Sequence, residues 1–141
     1  STDVMVGFPG ETEKEFQNTY DFLDEISFSS MHVFKYSPRK GTPAASFEGQ
    51  ILSSEKERRS NILIELSKRK TMEFNKKFIG RVMPVLIEQE ANEKKGYFEG
   101  FTPNYIKVIC EGDEKLKGNI VNVSLEKTVD DFIMGKVLDK D

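Results

Sequence analysis

The chain opens with a short apolar strand that leads directly into a glycine-containing loop and a helix start. The strand is 3–6 (DVMV), the loop is 7–10 (GFPG), and Thr12 with Glu15 has the capping-box pattern that begins a helix. This order predicts one β-α unit of a parallel sheet. Parallel strands normally have neighbours on both sides. We therefore expect the unit to be part of a larger α/β domain, and a start at Ser1 without Met fits a chain cut from a longer protein.

A second unit of the same kind follows the first. Residues 29–37 form a nearly continuous apolar run that predicts a strand, and we interpret His32 within it as a core histidine. Ser54 and Glu57 repeat the capping-box pattern and predict a long helix that reaches Lys77. Two such units predict part of an α/β barrel or a doubly wound sheet, and two alone cannot close a barrel.

The remaining chain alternates at a period of two residues and contains frequent turn signals. Five short strands are predicted, at 82–87, 97–101, 105–110, 121–125 and 132–138. So many short strands in about 60 residues predict a small closed β-barrel of a kind that often binds oligonucleotides. We place the junction before Ile79, which divides the chain into domains 1–78 and 79–141.

Charge and cysteine content exclude several classes of function. The net charge of −3 gives no overall indication of nucleic-acid binding. The single cysteine, Cys110, excludes an internal disulfide and any multi-cysteine metal site within this chain, and we interpret it as a small core side chain. No run approaches the ~18 apolar residues of a membrane span, and no signal peptide is visible. We therefore expect a cytoplasmic protein with no membrane partner.

Three segments are candidate binding sites. The loop 7–11 and the loop 36–44 each follow a predicted strand, where α/β barrels bind ligands. Glycines in the first allow close backbone approach, and hydroxyls with two cations in the second suit a carboxylate or phosphate. A plain turn and a solvated linker remain the alternatives. In the barrel, a small surface for unpaired bases is predicted from interleaved aromatic and basic residues: Lys94, Lys95, Tyr97, Phe101, Tyr105 and Lys107.

Several of these segments resemble one family. Residues 3–12 (DVMVGFPGET) resemble a late barrel strand of the radical S-adenosylmethionine methylthiotransferases, and residues 36–45 (YSPRKGTPAA) look like the next strand-end loop of that family. The second half resembles a TRAM domain, an OB-like RNA-binding module, through 96–102 (GYFEGFT), 104–108 (NYIKV) and 116–121 (LKGNIV). The resemblance covers essentially the whole chain, in the order of the family.

The resemblance implies the last β-α units of an incomplete radical S-adenosylmethionine α/β barrel, followed by a five-stranded TRAM barrel. It implies S-adenosylmethionine and two 4Fe-4S clusters as cofactors of the parent protein, the anticodon stem-loop of tRNA as partner, and contact with the rest of the parent chain. The cluster cysteines are absent from this chain. We therefore assign it no metal ligand and no catalytic residue, and we do not expect it to be active alone.

The resemblance also implies roles for individual residues. Val6, Gly7 and Phe8 would line the adenosine site of the cofactor. An active-site loop would be formed by Tyr36, Ser37, Arg39, Gly41 and Thr42, with the Arg39 side chain pairing with a carboxylate or phosphate.

Within the family, the chain looks most like the enzymes that modify threonylcarbamoyladenosine in tRNA. The alternatives are members that act on isopentenyladenosine in tRNA or on a ribosomal protein. A stand-alone RNA-binding module without catalysis is a further alternative, of a different functional class.

Overall fold

The computed structural model describes residues 1–138, which form two compact units. The first unit is Ser1–Lys70 and the second begins at Thr71. Among the described residues, no helix is both long and apolar enough to cross a membrane.

The first unit contains the two predicted β-α units. Strand β1 (Thr2–Val6) is followed by helix α1 (Glu13–Glu25), strand β2 (Met31–Lys35) and helix α2 (Ser53–Lys76), the last of which continues into the second unit. The two strands pair in parallel. Both helices bury apolar side chains against one face of this two-stranded sheet, and the resulting core consists of Val6, Phe16, Leu23, Met31, Leu63 and Leu66.

The start of α1 agrees with the sequence prediction, and the start of α2 differs from it. The Thr12 hydroxyl accepts a hydrogen bond from the Glu15 backbone N–H at 3.1 Å, so the predicted cap of α1 is confirmed. The predicted capping box at Ser54 is wrong, because α2 begins one residue earlier and Ser54 already lies inside its first turn. The Leu52 carbonyl accepts the first helical hydrogen bonds of α2 instead.

The other face of the two-stranded sheet is exposed. His32 and Phe34 lie on it with their rings stacked at 5.8 Å, so the interpretation of His32 as a core residue is wrong. The reason is the two-residue period of a strand: Met31 and Val33 face the helices, which turns His32 away from them.

The second unit is a closed five-stranded barrel, as predicted. Its strands are β3 (Val82–Glu90), β4 (Tyr97–Phe101), β5 (Lys107–Glu111), β6 (Ile120–Val129) and β7 (Phe132–Val137). They close in the order β3-β4-β5-β7-β6, and β3 pairs with β6 to complete the ring. The β5–β7 pair is parallel and the other pairs are antiparallel, which gives an OB-like mixed barrel.

The barrel core consists of alternating apolar side chains from all five strands. Cys110 is fully buried in this core, as interpreted from the sequence. Phe74 and Phe78, from the end of α2 and the turn after it, pack against the same core. The functional division into residues 1–78 and 79–141 stays a prediction, and residues 139–141 lie outside the described chain.

Candidate functional site

The loop after β1 is held in shape by a buried arginine. Gly7 has a φ of +78°, and its N–H donates to the Glu11 carboxylate at 3.0 Å. Arg59 on α2 donates to the same carboxylate oxygen at 2.7 Å and to the Glu11 carbonyl at 2.9 Å. Only 4% of Arg59 is exposed. The Arg59 side chain therefore fixes both the carboxylate and the backbone of this loop.

Further charges on α2 support this arginine. Glu55 accepts a hydrogen bond from the Arg59 Nε at 3.1 Å, while hydrogen bonds from Arg58 and Arg59 lower the pKa of Glu55 to about 2. Burial alone would lower the pKa of Arg59, but its bonds with Glu11 and Glu55 outweigh burial and raise that pKa. Glu55 and Arg59 are therefore both charged throughout the neutral pH range.

A lysine on the same helix joins the two strand-end loops. The Lys56 stem passes against Gly7, and its Nζ donates to the Tyr36 carbonyl at 3.0 Å. The Tyr36 N–H in turn donates to the Val6 carbonyl at 2.8 Å. Helix α2 therefore positions both loops relative to one another.

The loop after β2 contains a tight turn that presents a cation. The Thr42 N–H and hydroxyl both donate to the Arg39 carbonyl, at 3.1 and 2.7 Å, and Gly41 between them has a φ of +88°. The Arg39 guanidinium is exposed and has no hydrogen bond or ion pair within residues 1–138. It is therefore available to an external anion.

The loop after β2 and the ends of both strands border an open cleft of about 330 Å³ in the first unit. Met5 and Phe34 supply apolar surface from the exposed sheet face, and Arg39 supplies a positive charge. The buried Tyr36 hydroxyl has no hydrogen-bond partner among the described residues. The cleft suits a ligand with an apolar body and an anionic group. Its lining residues are Met5, Phe34, Lys35, Tyr36, Ser37, Arg39, Thr42 and Ala44.

The predicted active-site loop is therefore brought together, with Gly41 shaping the turn. The three predicted cofactor-binding residues, Val6, Gly7 and Phe8, differ in how accessible they are to a ligand. The Val6 side chain is fully buried in the core, and the Gly7 N–H already has a partner in Glu11. Phe8 is 43% exposed, and its ring packs edge-on against the Tyr36 ring at 5.4 Å. Of the three, Phe8 is the one whose side chain offers a surface.

In the barrel, five of the six predicted RNA-binding residues fall into two groups, one with Lys94, Tyr97 and Lys107 and one with Phe101 and Tyr105. The first group includes Lys94, which lies 4.3 Å from the centre of the Tyr97 ring, and Lys107, which bonds Glu93 at 2.7 Å and Glu99 at 3.3 Å. Burial alone would lower the pKa of Lys107, but these two carboxylates raise it. Its charge is therefore already neutralised within the barrel.

The second group lies on an open apolar groove of about 600 Å³. Phe101 and Tyr105 border it, together with Pro84, Leu86, Glu88, Thr102, Pro103 and Ile120. Lys95 belongs to neither set of contacts and is exposed in the turn before β4.

Sequence reasoning missed the two residues of α2 that hold the loops. Arg59 and Lys56 lie in a strongly charged stretch that resembles an ordinary solvated helix face. The Arg59–Glu11 bond joins positions 48 residues apart, and nothing in the local pattern indicates it. Glu11 was the residue that could have indicated this bond, because it ends a glycine-containing loop and a buried carboxylate requires a cationic partner.

The described residues contain no group of three metal-ligating side chains. Burial raises the pKa of the Cys110 thiol to about 11, which disfavours the thiolate that binds metals. A single buried thiol does not fit an iron–sulfur cluster.

Comparison with known proteins gives relatives of two substrate classes. The chain is 43% identical over 129 residues to the threonylcarbamoyladenosine tRNA methylthiotransferase MtaB of Bacillus subtilis, which covers 90% of the chain and 29% of the relative. It is 42% identical over 139 residues to the tRNA-2-methylthio-N(6)-dimethylallyladenosine synthase of Aquifex aeolicus, which covers 99% and 31%. The synthase of Methylacidiphilum infernorum is 36% identical over 138 residues. No family model matches. The chain spans about 30% of the length of these relatives.

Proposed function

We propose that this chain, which is homologous to part of the tRNA methylthiotransferases, forms the C-terminal portion of such an enzyme. The enzyme would add a methylthio group to threonylcarbamoyladenosine beside the tRNA anticodon. The observation that carries the proposal is the similarity over 90% or more of the chain, together with β-α units followed by a five-stranded barrel. Because the similarity covers about 30% of each relative, the remaining catalytic parts would belong to a longer protein.

The cleft in the first unit supports the choice of substrate. A threonylcarbamoyl group carries a carboxylate, whereas a dimethylallyl group is entirely apolar. An exposed Arg39 beside the apolar surface of Met5 and Phe34 fits the first group through a charge-assisted hydrogen bond. The second candidate, dimethylallyladenosine, is favoured by the 42% identity to the Aquifex relative.

The two strand-end loops would form part of the active-site wall. When bound, S-adenosylmethionine supplies the radical and the methyl group of the reaction. Phe8 would contact its adenosine with the exposed part of its ring, and Val6 and Gly7 would contribute backbone. The bond from the Gly7 N–H to Glu11 leaves that donor unavailable, so we propose an apolar contact. The 36–42 loop would then present Arg39 from its tight turn.

The iron–sulfur clusters of the family would be held elsewhere in the protein. The single cysteine of this chain is buried in the barrel and does not fit such a role. No catalytic residue is therefore assigned here. The contribution of this chain would be substrate and cofactor binding.

The barrel would bind the tRNA. Lys94 and Lys95 lie in the turn before β4, one of the loops that OB-like barrels use for oligonucleotides. Lys107 is less suited to a phosphate, because Glu93 and Glu99 already neutralise it. Aromatic contacts would come from Tyr97, Phe101 and Tyr105.

The test is nucleoside mass spectrometry of tRNA from cells that lack the gene, with the intact gene restored as control. Loss of methylthio-threonylcarbamoyladenosine, with recovery on restoration, supports the enzyme class and substrate together. Loss of the methylthio-dimethylallyl nucleoside instead retains the class and replaces the substrate. If both nucleosides persist, the proposal fails, and an enzyme acting on a ribosomal protein or a plain RNA-binding module takes its place.

A further inference from the structure

Tyr105, in the turn between β4 and β5, has a left-handed backbone conformation and an exposed side chain. Its φ is +65°, in the left-handed region that residues other than glycine rarely occupy. Its side chain is not used in the core, because Tyr105 is 86% exposed. Backbone conformations of this kind cluster at active sites and ligand-binding sites.

The turn that holds Tyr105 is rigid because Thr102 is bonded at several points. The Thr102 carbonyl accepts from the Tyr105 N–H at 2.9 Å, and its hydroxyl accepts from the Ile106 N–H at 3.0 Å. The Thr102 N–H donates to the Ile106 carbonyl at 3.1 Å, and its hydroxyl donates to the Asn104 side chain at 2.6 Å. Thr102 itself is 3% exposed. The Tyr105 ring is therefore carried on a preorganised turn, which lowers the entropy cost of binding through it.

The groove beside this ring is apolar and contains one charge. Leu86 and Ile120 are 42% and 65% exposed, and Phe101 adds a second ring. The charged lining residue is Glu88, which has no ion-pair partner among residues 1–138. A carboxylate disfavours a phosphate and accepts hydrogen bonds from the amino groups of bases. The groove therefore fits a nucleobase better than a sugar–phosphate backbone.

The face that OB-like barrels generally use is filled in this protein. That face lies on the second and third strands, here β4 and β5. Ile109 on this face is 1% exposed and packs with Ala91 and Phe132. Next to them, the charge of Lys107 is taken up by two carboxylates. The Tyr97 ring on this face is partly buried and already contacted by Lys94 at 4.3 Å, so it offers less stacking surface than the groove on the other side of β4.

We propose that this groove binds an unpaired RNA base, with Tyr105 as the stacking platform and Glu88 as the acceptor for the base amino group. The inference rests on the proposed function in taking tRNA as the natural ligand. Stacking tolerates any base, while Glu88 gives a preference for bases with an amino group, such as cytosine, over uracil.

The test measures binding of fluorescein-labelled RNA to the full chain by fluorescence anisotropy. The probes are single-stranded oligocytidine, oligouridine of equal length, and a tRNA anticodon stem-loop. We expect Tyr105→Ala to weaken binding of the stem-loop by roughly 5- to 100-fold, and Tyr105→Phe to retain it. Because a stack neutralises no phosphate, the slope of affinity against salt should stay the same. Glu88→Gln should reduce the preference for oligocytidine over oligouridine.

Two further variants separate binding from folding. Tyr105→Gly relieves the left-handed backbone, so it should unfold at an equal or higher urea concentration while still losing RNA affinity. Phe22→Ala removes an aromatic ring that is 62% exposed on α1, outside the barrel, and should bind RNA like the wild type.

Wild-type affinity in both Tyr105→Ala and Tyr105→Gly would overturn the proposal. So would the absence of binding to all three probes at low salt, which would leave the groove as a protein-docking surface. Either result is separate from the nucleoside analysis, which tests the enzyme class without reference to this groove.

Discussion

Gly7 and Lys56 compete for the same space: a Cβ atom built on Gly7 lies 2.2 Å from the Lys56 Cγ. A Cβ atom does not approach a non-bonded carbon so closely, so any side chain at position 7 must displace the lysine stem. The Lys56 Nζ would then lose its bond to the Tyr36 carbonyl. The glycine of the first loop therefore determines how the second loop is held.

Gly7→Ala should destabilise the chain by roughly 1–3 kcal/mol through overpacking, in addition to the cost of its positive φ. Gly10→Ala is the matched control, because Gly10 also has a positive φ but no atom lies within 4 Å of its added Cβ. Urea unfolding of the two variants isolates the collision. Equal losses of stability in the two variants would mean that the Lys56 side chain moves aside at no cost. If the collision is real, Lys56→Ala in the Gly7→Ala background should recover part of the lost stability.

Arg59→Ala should cost about 3 kcal/mol, because it leaves the Glu11 carboxylate without its buried cation. Arg58→Ala removes a neighbouring arginine whose side chain is 45% exposed, and it should cost clearly less than the loss of Arg59, because water screens its ion pairs. Both are measured by urea unfolding. If the two variants lose the same stability, the buried position of Arg59 has no special energetic role.

Arg39→Ala in the intact enzyme should reduce formation of the methylthio nucleoside by roughly 10-fold or more, the usual value of a charge-assisted hydrogen bond to a ligand. The measurement is nucleoside mass spectrometry after the variant gene replaces the wild type. Lys40→Ala changes the adjacent cation of the same turn and should leave formation nearly normal. Full activity of the Arg39 variant would contradict the proposed contact between Arg39 and the substrate carboxylate.

Charge reversal of Lys94 and Lys95 to glutamate should weaken tRNA binding and reduce the salt dependence of the affinity. Each lost phosphate contact lowers the slope by about 0.7 to 0.9. Anisotropy titrations at several salt concentrations provide the measurement. An unchanged slope would place the phosphate contacts on another part of the barrel.

Cys110 should make stability depend on alkaline pH. Burial raises its pKa from 9.0 to about 11 in the folded chain. The unfolded chain therefore loses this proton first, so the stabilising contribution is complete below pH 9 and disappears as the pH approaches 11. The loss should be at most roughly 3 kcal/mol.

The check compares urea midpoints of the wild type and Cys110→Ala between pH 8 and pH 11. The difference between them isolates the contribution of the thiol from every other pH-dependent contribution. In the native wild type at pH 8, a thiol reagent should react slowly, and rapid labelling would contradict the burial.

The repeating patterns of the sequence predicted most of the fold. The alternation in the second half predicted all five barrel strands, and Thr12 with Glu15 predicted the start of α1, because these signals are local. The pairing of Arg59 with Glu11 is a contact between distant positions, and no period in either segment encodes it. His32 was misinterpreted for a related reason: its apolar neighbours are equally compatible with either face, and the position of the helices decides which face is covered.

The candidate site shows the same limit. The residues of the 36–42 loop come together in one cleft because they are adjacent in sequence. The six barrel residues predicted to bind RNA do not share one surface: Phe101 and Tyr105 border the groove, and the other four lie outside it, since the closure of the barrel decides which aromatic rings share a groove. Strand closure of this kind depends on pairs such as β3 with β6, whose partners are far apart in the chain.

The packing of Phe74 and Phe78 against the barrel core has a practical consequence for cutting the protein into pieces. A fragment that starts at Ile79 would lack two aromatic rings that pack against the barrel core, and the Asn75 amide that donates to the Asp131 carbonyl. The freed apolar surface would face water and promote aggregation. A soluble barrel fragment should therefore begin no later than Thr71, so that it includes the last turns of α2 together with the strands.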